Sequence, residues 1–294
     1  MKMYEEFRDE LLERVKRSLK NSEVKVRLEV VVKNNGSKKE AIIFCDEKYN
    51  ASPTVYLDDF YSAYEQGEDM NTILEQVLKM SDKHVNMPKG SIFGTWETAR
   101  ERLRLKVINA NWNVELLEDV PHYKMLDLAI VTLLEVSSKE IEGVGTILIR
   151  KKFLDLWGIT EQELLNAAMD NTYRENYRIM NLSTVIADII AESEEATDWA
   201  CPLYVLSNDS KVNGATGIIR DDLLLEFAEK VAENFYVLPS SLHEVLLLPE
   251  HYVESADDLR KMVGMVNEGE VTPEERLSDN VYYYDKVSKC LMIA

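Results

Sequence analysis

Residues 232–249 read AENFYVLPSSLHEVLLLP, two short apolar runs on either side of a polar turn. Phe235 to Leu238 is aromatic and aliphatic and is closed by Pro239. Val245 to Leu248 is apolar at every position, which predicts a strand covered on both faces and therefore interior to its sheet. Between them stand Ser240, Ser241, His243 and Glu244, the densest group of reactive side chains in the chain.

That turn supports two readings. In the enzymatic one, Ser241, His243 and Glu244 are the catalytic candidates, joined by Asn208, Lys211 and Asn213 from the neighbouring polar turn. Side chains alternate along extended backbone, so Ser241 and His243 point one way and Ser240 and Glu244 the other. A nucleophile, base and orienting acid usually converge from separate elements, which one short turn does not provide. In the structural reading the serines hydrogen-bond the turn backbone and His243 is a packed residue with its nitrogens satisfied. The balance leans away from an enzyme. There is no P-loop, HExxH or GxSxG, and His84, His122, His243 and His251 form no ligand pattern.

A chain of 294 residues, 46% hydrophobic and 30% charged, has the composition of ordinary globular domains and is long enough for about two. Met1 to Lys20 is charged throughout and no apolar run approaches membrane-spanning length, so the expected location is the cytoplasm, with no membrane contact. Cys45, Cys201 and Cys290 are too far apart for a CxxC pair, and Gly143-Val144-Gly145 lacks the rest of a dinucleotide fingerprint; no metal or cofactor is expected.

The net charge of −19 is unevenly placed. Residues 1–120 hold 19 Lys and Arg against 22 Asp and Glu, a balance of −3, and the remainder holds 15 against 31, a balance of −16. An acidic field of that size repels phosphate backbones and attracts basic proteins. Glu192, Glu194, Glu195 and Asp198, in a stretch poor in apolar residues, are the candidate contacts for a basic protein partner. Ordinary nucleic-acid binding is disfavoured.

Along the chain, Tyr4, Phe7, Leu11, Val15 and Leu19 give the first helix one apolar stripe. Val24 to Val31 and Ala41 to Cys45 flank Asn34-Asn35-Gly36 as a hairpin, and Thr54 to Leu57 leads into helices near 58–66 and 70–83. A helix is expected near 95–104, a strand over Leu105 to Ile108, and a turn at Pro121-His122. Leu126 to Val136 and Gly145 to Ile149 read as paired strands. Thr160 and Glu163 make a capping box, and Leu182 to Ala191 looks helical. Leu203 to Leu206 and Thr216 to Ile219 are expected to pair as strands about the turn at 208–214. Ala256 to Val266 is a helix, and Val281 to Tyr284 pairs with Cys290 to Ile293. Ile149 to Leu154, Ile219 to Leu224 and Val55 to Phe60 share a pattern in which a hairpin's second strand runs through charges into an apolar helix. The resulting expectation is α+β, two mixed domains built from hairpin-to-helix units: 1–112 with the helix, hairpin and helices, and 113–294 with a larger mixed sheet. The domain boundary falls between Asn109 and Pro121.

The blocks LDLAIVTLLEV (126–136), GTILIRKKFLDLWGI (145–159), YVLSNDSKVNGA (204–215) and FYVLPSSLHEVLLLP (235–249) resemble a domain-of-unknown-function family widespread in gut Clostridia. The likeness is strongest from Leu126 to Tyr284. It implies a bacterial, cytoplasmic α+β protein and carries over no catalytic residue.

Two functions follow as expectations. One is a non-enzymatic interaction module with an acidic C-terminal surface and a tyrosine-rich edge at Tyr282, Tyr283 and Tyr284, in its sharpest form an acidic decoy of nucleic acid. The alternative is an enzyme using Ser240 to Glu244.

Overall fold

The computed structural model describes residues 3–45, 54–81, 93–136, 145–185 and 202–294. It is α+β, with three antiparallel sheets, and its backbone packing divides it into two units. The first comprises Met1–Ala99 with Glu135–Ile147, the second Arg100–Leu134 with Leu148–Ala294. The division at Ala99 precedes the Asn109–Pro121 stretch suggested by composition, because the strand that begins at Leu103 pairs along seven residues with Leu128 to Leu134.

In the first unit α1 (Tyr4–Ser18) precedes β1 (Lys25–Val32), β2 (Lys38–Cys45) and β3 (Thr54–Tyr56), followed by α2 (Leu57–Glu65) and α3 (Met70–Ser81). The sheet order is β1-β2-β3. Asn35 and Gly36 take the left-handed backbone, φ 58° and 67°, that turns β1 into β2. Phe7, Leu11 and Val15, spaced four apart on α1, share a core with Ile42, Phe44, Val55, Ile73 and Val77. The short α4 (Trp96–Ala99) ends this unit's first segment.

The second unit begins with a turn of 3-10 helix, so the helix expected near 95–104 is short. It yields to β4 (Leu103–Asn109), α5 (Val114–Leu117), β5 (His122–Met125) and β6 (Leu128–Val136). β4 and β5 flank β6; β6 beyond Leu134 and all but the last residue of β7 (Gly145–Leu148), which pairs with β6, count with the first unit. His122 opens β5 instead of standing in a turn, since its backbone pairs with Val131. Next come α6 (Lys151–Trp157), α7 (Glu161–Arg174), β8 (Tyr177–Asn181), β9 (Tyr204–Asn208), α8 (Asp221–Val231), β10 (Phe235–Pro239), β11 (Val245–Pro249), α9 (Ala256–Glu270), β12 (Tyr282–Asp285) and β13 (Cys290–Ile293). The capping box at α7 is present, with Thr160 Oγ1 accepting from Glu163 N–H and Glu163 Oε2 accepting from Thr160 N–H. Of the helix expected over Leu182 to Ala191, all beyond Val185 lies outside the described residues.

The larger sheet runs β13-β12-β10-β11-β9-β8, and every described pairing in it is antiparallel, where a mixed sheet was expected. β11 is interior, between β10 and β9, as its unbroken apolar run requires. Alternation then decides which helix covers which face. Phe235 and Val237 face one way, and Phe235 meets Phe227 of α8 edge-on at 4.9 Å. Leu238 and Leu248 face the other way and share a cluster with Leu259 and Val263 of α9. Burying each such side chain contributes about 1.5–3 kcal/mol.

Thr216 to Ile219 does not pair with β9. It lies in a 3-10 helix, Gly214–Ile219, entered through Asn213 at φ 53°. The glycines explain the departure. A Cβ on Gly217 would stand 2.8 Å from Tyr177 Cδ1, and one on Gly214 would overlap Ser207, so the segment presses onto β9 side-on where a strand would need more room. Of the three hairpin-to-helix segments, those before α2 and α6 leave a strand, while the one before α8 leaves this 3-10 turn.

Candidate functional site

The β10–β11 hairpin has a closed end at the polar turn and an open end where its strands part. Sequence reasoning pointed to the closed end, and the structure does bring its two loops together. Ser207 Oγ donates to His243 O at 2.8 Å, Ala215 N–H to Leu242 O at 3.2 Å, and Asn213 N–H to His243 Nδ1 at 3.3 Å. Since Nδ1 accepts, the neutral ring carries its proton on Nε2, which faces Glu275 Oε1 at 3.5 Å. Ser241 Oγ accepts from the His243 backbone N–H at 3.0 Å, a serine turn, and Glu244 O takes Ser241 N–H. The carboxyl group beside the imidazole is thus Glu275, not Glu244, and the Ser241 hydroxyl is turned to the backbone. Asn208 donates to Val212 O and accepts from Ser210 within its own loop, and Lys211 and Asn213 both hold left-handed φ of 53°. The arrangement is that of two packed turns. His243→Ala is expected to cost about 1–2 kcal/mol by leaving Asn213 N–H without its acceptor. Thermal unfolding measures this, and an unchanged midpoint would mean that the ring does not hold the loops.

Glu192, Glu194, Glu195 and Asp198 lie outside the described residues.

At the open end the register does what the turn does not. Phe235 opposes Pro249, so the residues just before β10 meet those just after β11. Glu250 N–H donates to Asn234 O, and Asn234 Nδ2 reaches Tyr283 Oη at 2.7 Å and Glu250 Oε2 at 3.1 Å. Tyr283 Oη donates to Glu250 Oε1 at 2.9 Å. Partial burial, then Glu250, pushes the Tyr283 phenol up to about 12. One residue further out, Glu233 receives both the backbone N–H of His251, at 3.0 Å, and its Nδ1, at 2.5 Å. A carboxylate only accepts, so Nδ1 carries the proton and Nε2 is left as the ring's open position. The Tyr252 ring lies 3.8 Å from the imidazole, centroid to centroid. Of these groups Glu233, His251 and Tyr252 border a cleft of 410 Å³ that Tyr204, Lys230 and Pro249 also line. The signal for it was in the sequence: two strands joined by a short turn place the residues before the first and after the second side by side.

A third feature is the outer side of α9. Leu259, Val263 and Asn267 are buried, yet Met262 is 57%, Met265 74% and Val266 44% exposed. Residues 254–275 hold seven Asp and Glu against two basic residues, and those two, Arg260 and Lys261, are ion-paired to Asp257 and Asp258.

Compared with known families, residues 4–286 match DUF5688, a family of unknown function. The chain belongs to that family. No curated protein and no solved structure matches this DUF5688 chain. Among its described residues no helix is long and apolar enough to cross a membrane, and no group of three or more His, Cys, Asp or Glu is placed to hold a metal ion.

Proposed function

We propose that this DUF5688 chain is a non-enzymatic interaction module of the bacterial cytoplasm, in which α9 takes a basic amphipathic helix from another protein. The observation that carries the reading is the exposed Met262-Met265-Val266 stripe within an acidic stretch. A helix with one buried apolar side is complete; a second apolar stripe on the solvent side is a surface awaiting a partner. Methionine suits it, being flexible and polarizable enough to fit an unfamiliar helix. Charge decides what the partner is. A second copy would bring the same carboxylates against these, whereas a lysine-rich helix would meet them favourably. Glu192, Glu194, Glu195 and Asp198 add to the same unit's negative charge. If the captured helix is one its owner uses on nucleic acid, the protein acts as a decoy of that acid.

The test uses the full chain and a synthetic amphipathic peptide with leucine and lysine at helical spacing, with a glutamate-for-lysine version as control. The basic peptide is expected to bind, more weakly as salt rises, and the double change Met262→Ser, Met265→Ser is expected to weaken it at least tenfold, about 1.4 kcal/mol. Equal binding of both peptides, or an unchanged affinity in the double variant, would sink the proposal.

A further inference from the structure

The cleft at the open end of the hairpin is independent of α9's outer stripe, and its chemistry is of another kind. We infer that it is a binding site for a small aromatic carboxylate. Its volume of 410 Å³ lies in the range of small-molecule sites. Tyr204, Tyr252 and Pro249 give it flat apolar walls suited to a ring. Lys230 Nζ lies over the Tyr204 ring, 5.5 Å from its centroid, and has no carboxylate partner within ion-pair distance among the described residues. In a chain of net charge −19 a cation lining a concave site, with no ion-pair partner among the described residues, is the natural seat for an anionic group.

His251 supplies the second polar point. Glu233 fixes its tautomer by accepting a hydrogen bond from Nδ1–H, at 2.5 Å, and the backbone N–H of the same residue, at 3.0 Å, ties the carboxylate down. In its neutral form the ring offers Nε2 as an acceptor in a set orientation, and a carboxylate ligand that also bears a hydroxyl satisfies both Lys230 and His251. A phenolic acid has that combination: a carboxylate for the ammonium, a ring for the tyrosines and an O–H for the imidazole. No bond is made or broken in this proposal; it concerns recognition only.

The experiment titrates the 294-residue chain, labelled with ¹³C at histidine Cε1, with 4-hydroxybenzoate and follows its four histidine resonances. His251 is assigned by the signal lost in His251→Asn, a change at an exposed side chain that leaves the core untouched. The expected result is a saturable shift of the His251 signal with the other three still. Lys230→Met is expected to weaken binding at least tenfold, and benzoate, which lacks the hydroxyl, to bind several-fold more weakly than 4-hydroxybenzoate. A His251 signal that does not move, four signals drifting together without saturation, or an affinity indifferent to Lys230→Met would each overturn the inference. None of these readings depends on the peptide-binding result, so the two proposals stand or fall separately.

Discussion

Asp127→Ala is expected to lower stability by about 3–5 kcal/mol, a large part of the margin of an ordinary domain. The carboxyl group is buried in the second unit at the two-residue turn between β5 and β6. It accepts from Ser278 Oγ at 2.6 Å, Asn280 Nδ2 at 3.0 Å and Tyr282 Oη at 2.9 Å. Ser278 and Tyr282 are themselves fully buried, so alanine leaves donors facing nothing, and the cost is their desolvation as well as the lost bonds. Leu126, beside it, holds φ 57°, a conformation that a leucine adopts only when its neighbours impose it. Any relief of that strain when Asp127 loses its bonds offsets only a small part of the loss. Asp127→Asn keeps the shape but turns one acceptor into a donor, and should fall between wild type and alanine. Urea unfolding followed by tryptophan fluorescence measures the series; a loss below about 1 kcal/mol for alanine would show the network to be dispensable.

The same network sets an alkaline limit. Burial first, and then the charge of Asp127, push the Tyr282 phenol well above the ordinary tyrosine range. A group whose pKa is raised by folding holds its proton more tightly folded than unfolded. Its contribution is therefore complete below the unfolded tyrosine value, about 10, and is lost as pH climbs above that. Tyr282→Phe should flatten the fall in stability above that pH relative to wild type.

Gly214→Ala is the second large effect, about 3 kcal/mol or more. A Cβ there would lie within 3.0 Å of Ser207 Oγ, His243 O and Asn208 N, and two of those atoms are backbone and cannot turn aside. The change would wedge apart the loops that meet at the closed end of the hairpin. Two further glycines calibrate it. Gly217→Ala crowds only side-chain atoms of Tyr177 and Leu206 and should cost less. Gly264→Ala, inside α9 with nothing within 4 Å, should stabilise by up to about 1 kcal/mol through helix propensity. If the three midpoints do not fall in that order, close backbone approach is not what keeps Gly214 a glycine.

Local patterns were legible in the sequence wherever one physical rule acted alone. The apolar run of β11 predicts an interior strand, and the strand lies between β10 and β9 with Leu248 packed against Leu259 and Val263 of α9. Asn35 and Gly36 turn the first hairpin, and Thr160 with Glu163 caps α7. What could not be read were the places where distant segments meet. Ile218 and Ile219 look like strand residues, but Gly214 and Gly217 let them lie across β9 as a 3-10 helix. Leu105 to Ile108 reads as a strand, yet nothing local says that it pairs with β6 and so belongs to the second unit. The dense polar turn drew attention because its residues are adjacent, while Glu233 and His251, 18 positions apart, are brought into contact only by the register of the strands between them. Asp127 gave no sign at all, since each of its partners is ordinary in its own neighbourhood.

The reach of those Asp127 bonds has a consequence for how the protein is made. Ser278 follows Asp127 by 151 residues, and at roughly 5–20 residues added per second the aspartate leaves the ribosome some 8–30 s before its nearest side-chain partner is synthesised. Through that interval β5 and β6 carry a strained turn and a carboxyl group that no native contact can bury, on strands whose apolar faces have no finished core. Synthesis of the stretch from Ser278 onward therefore closes the second unit, and a chain stalled before Ser278 would expose those strands to chaperones and proteases however well its first unit had folded.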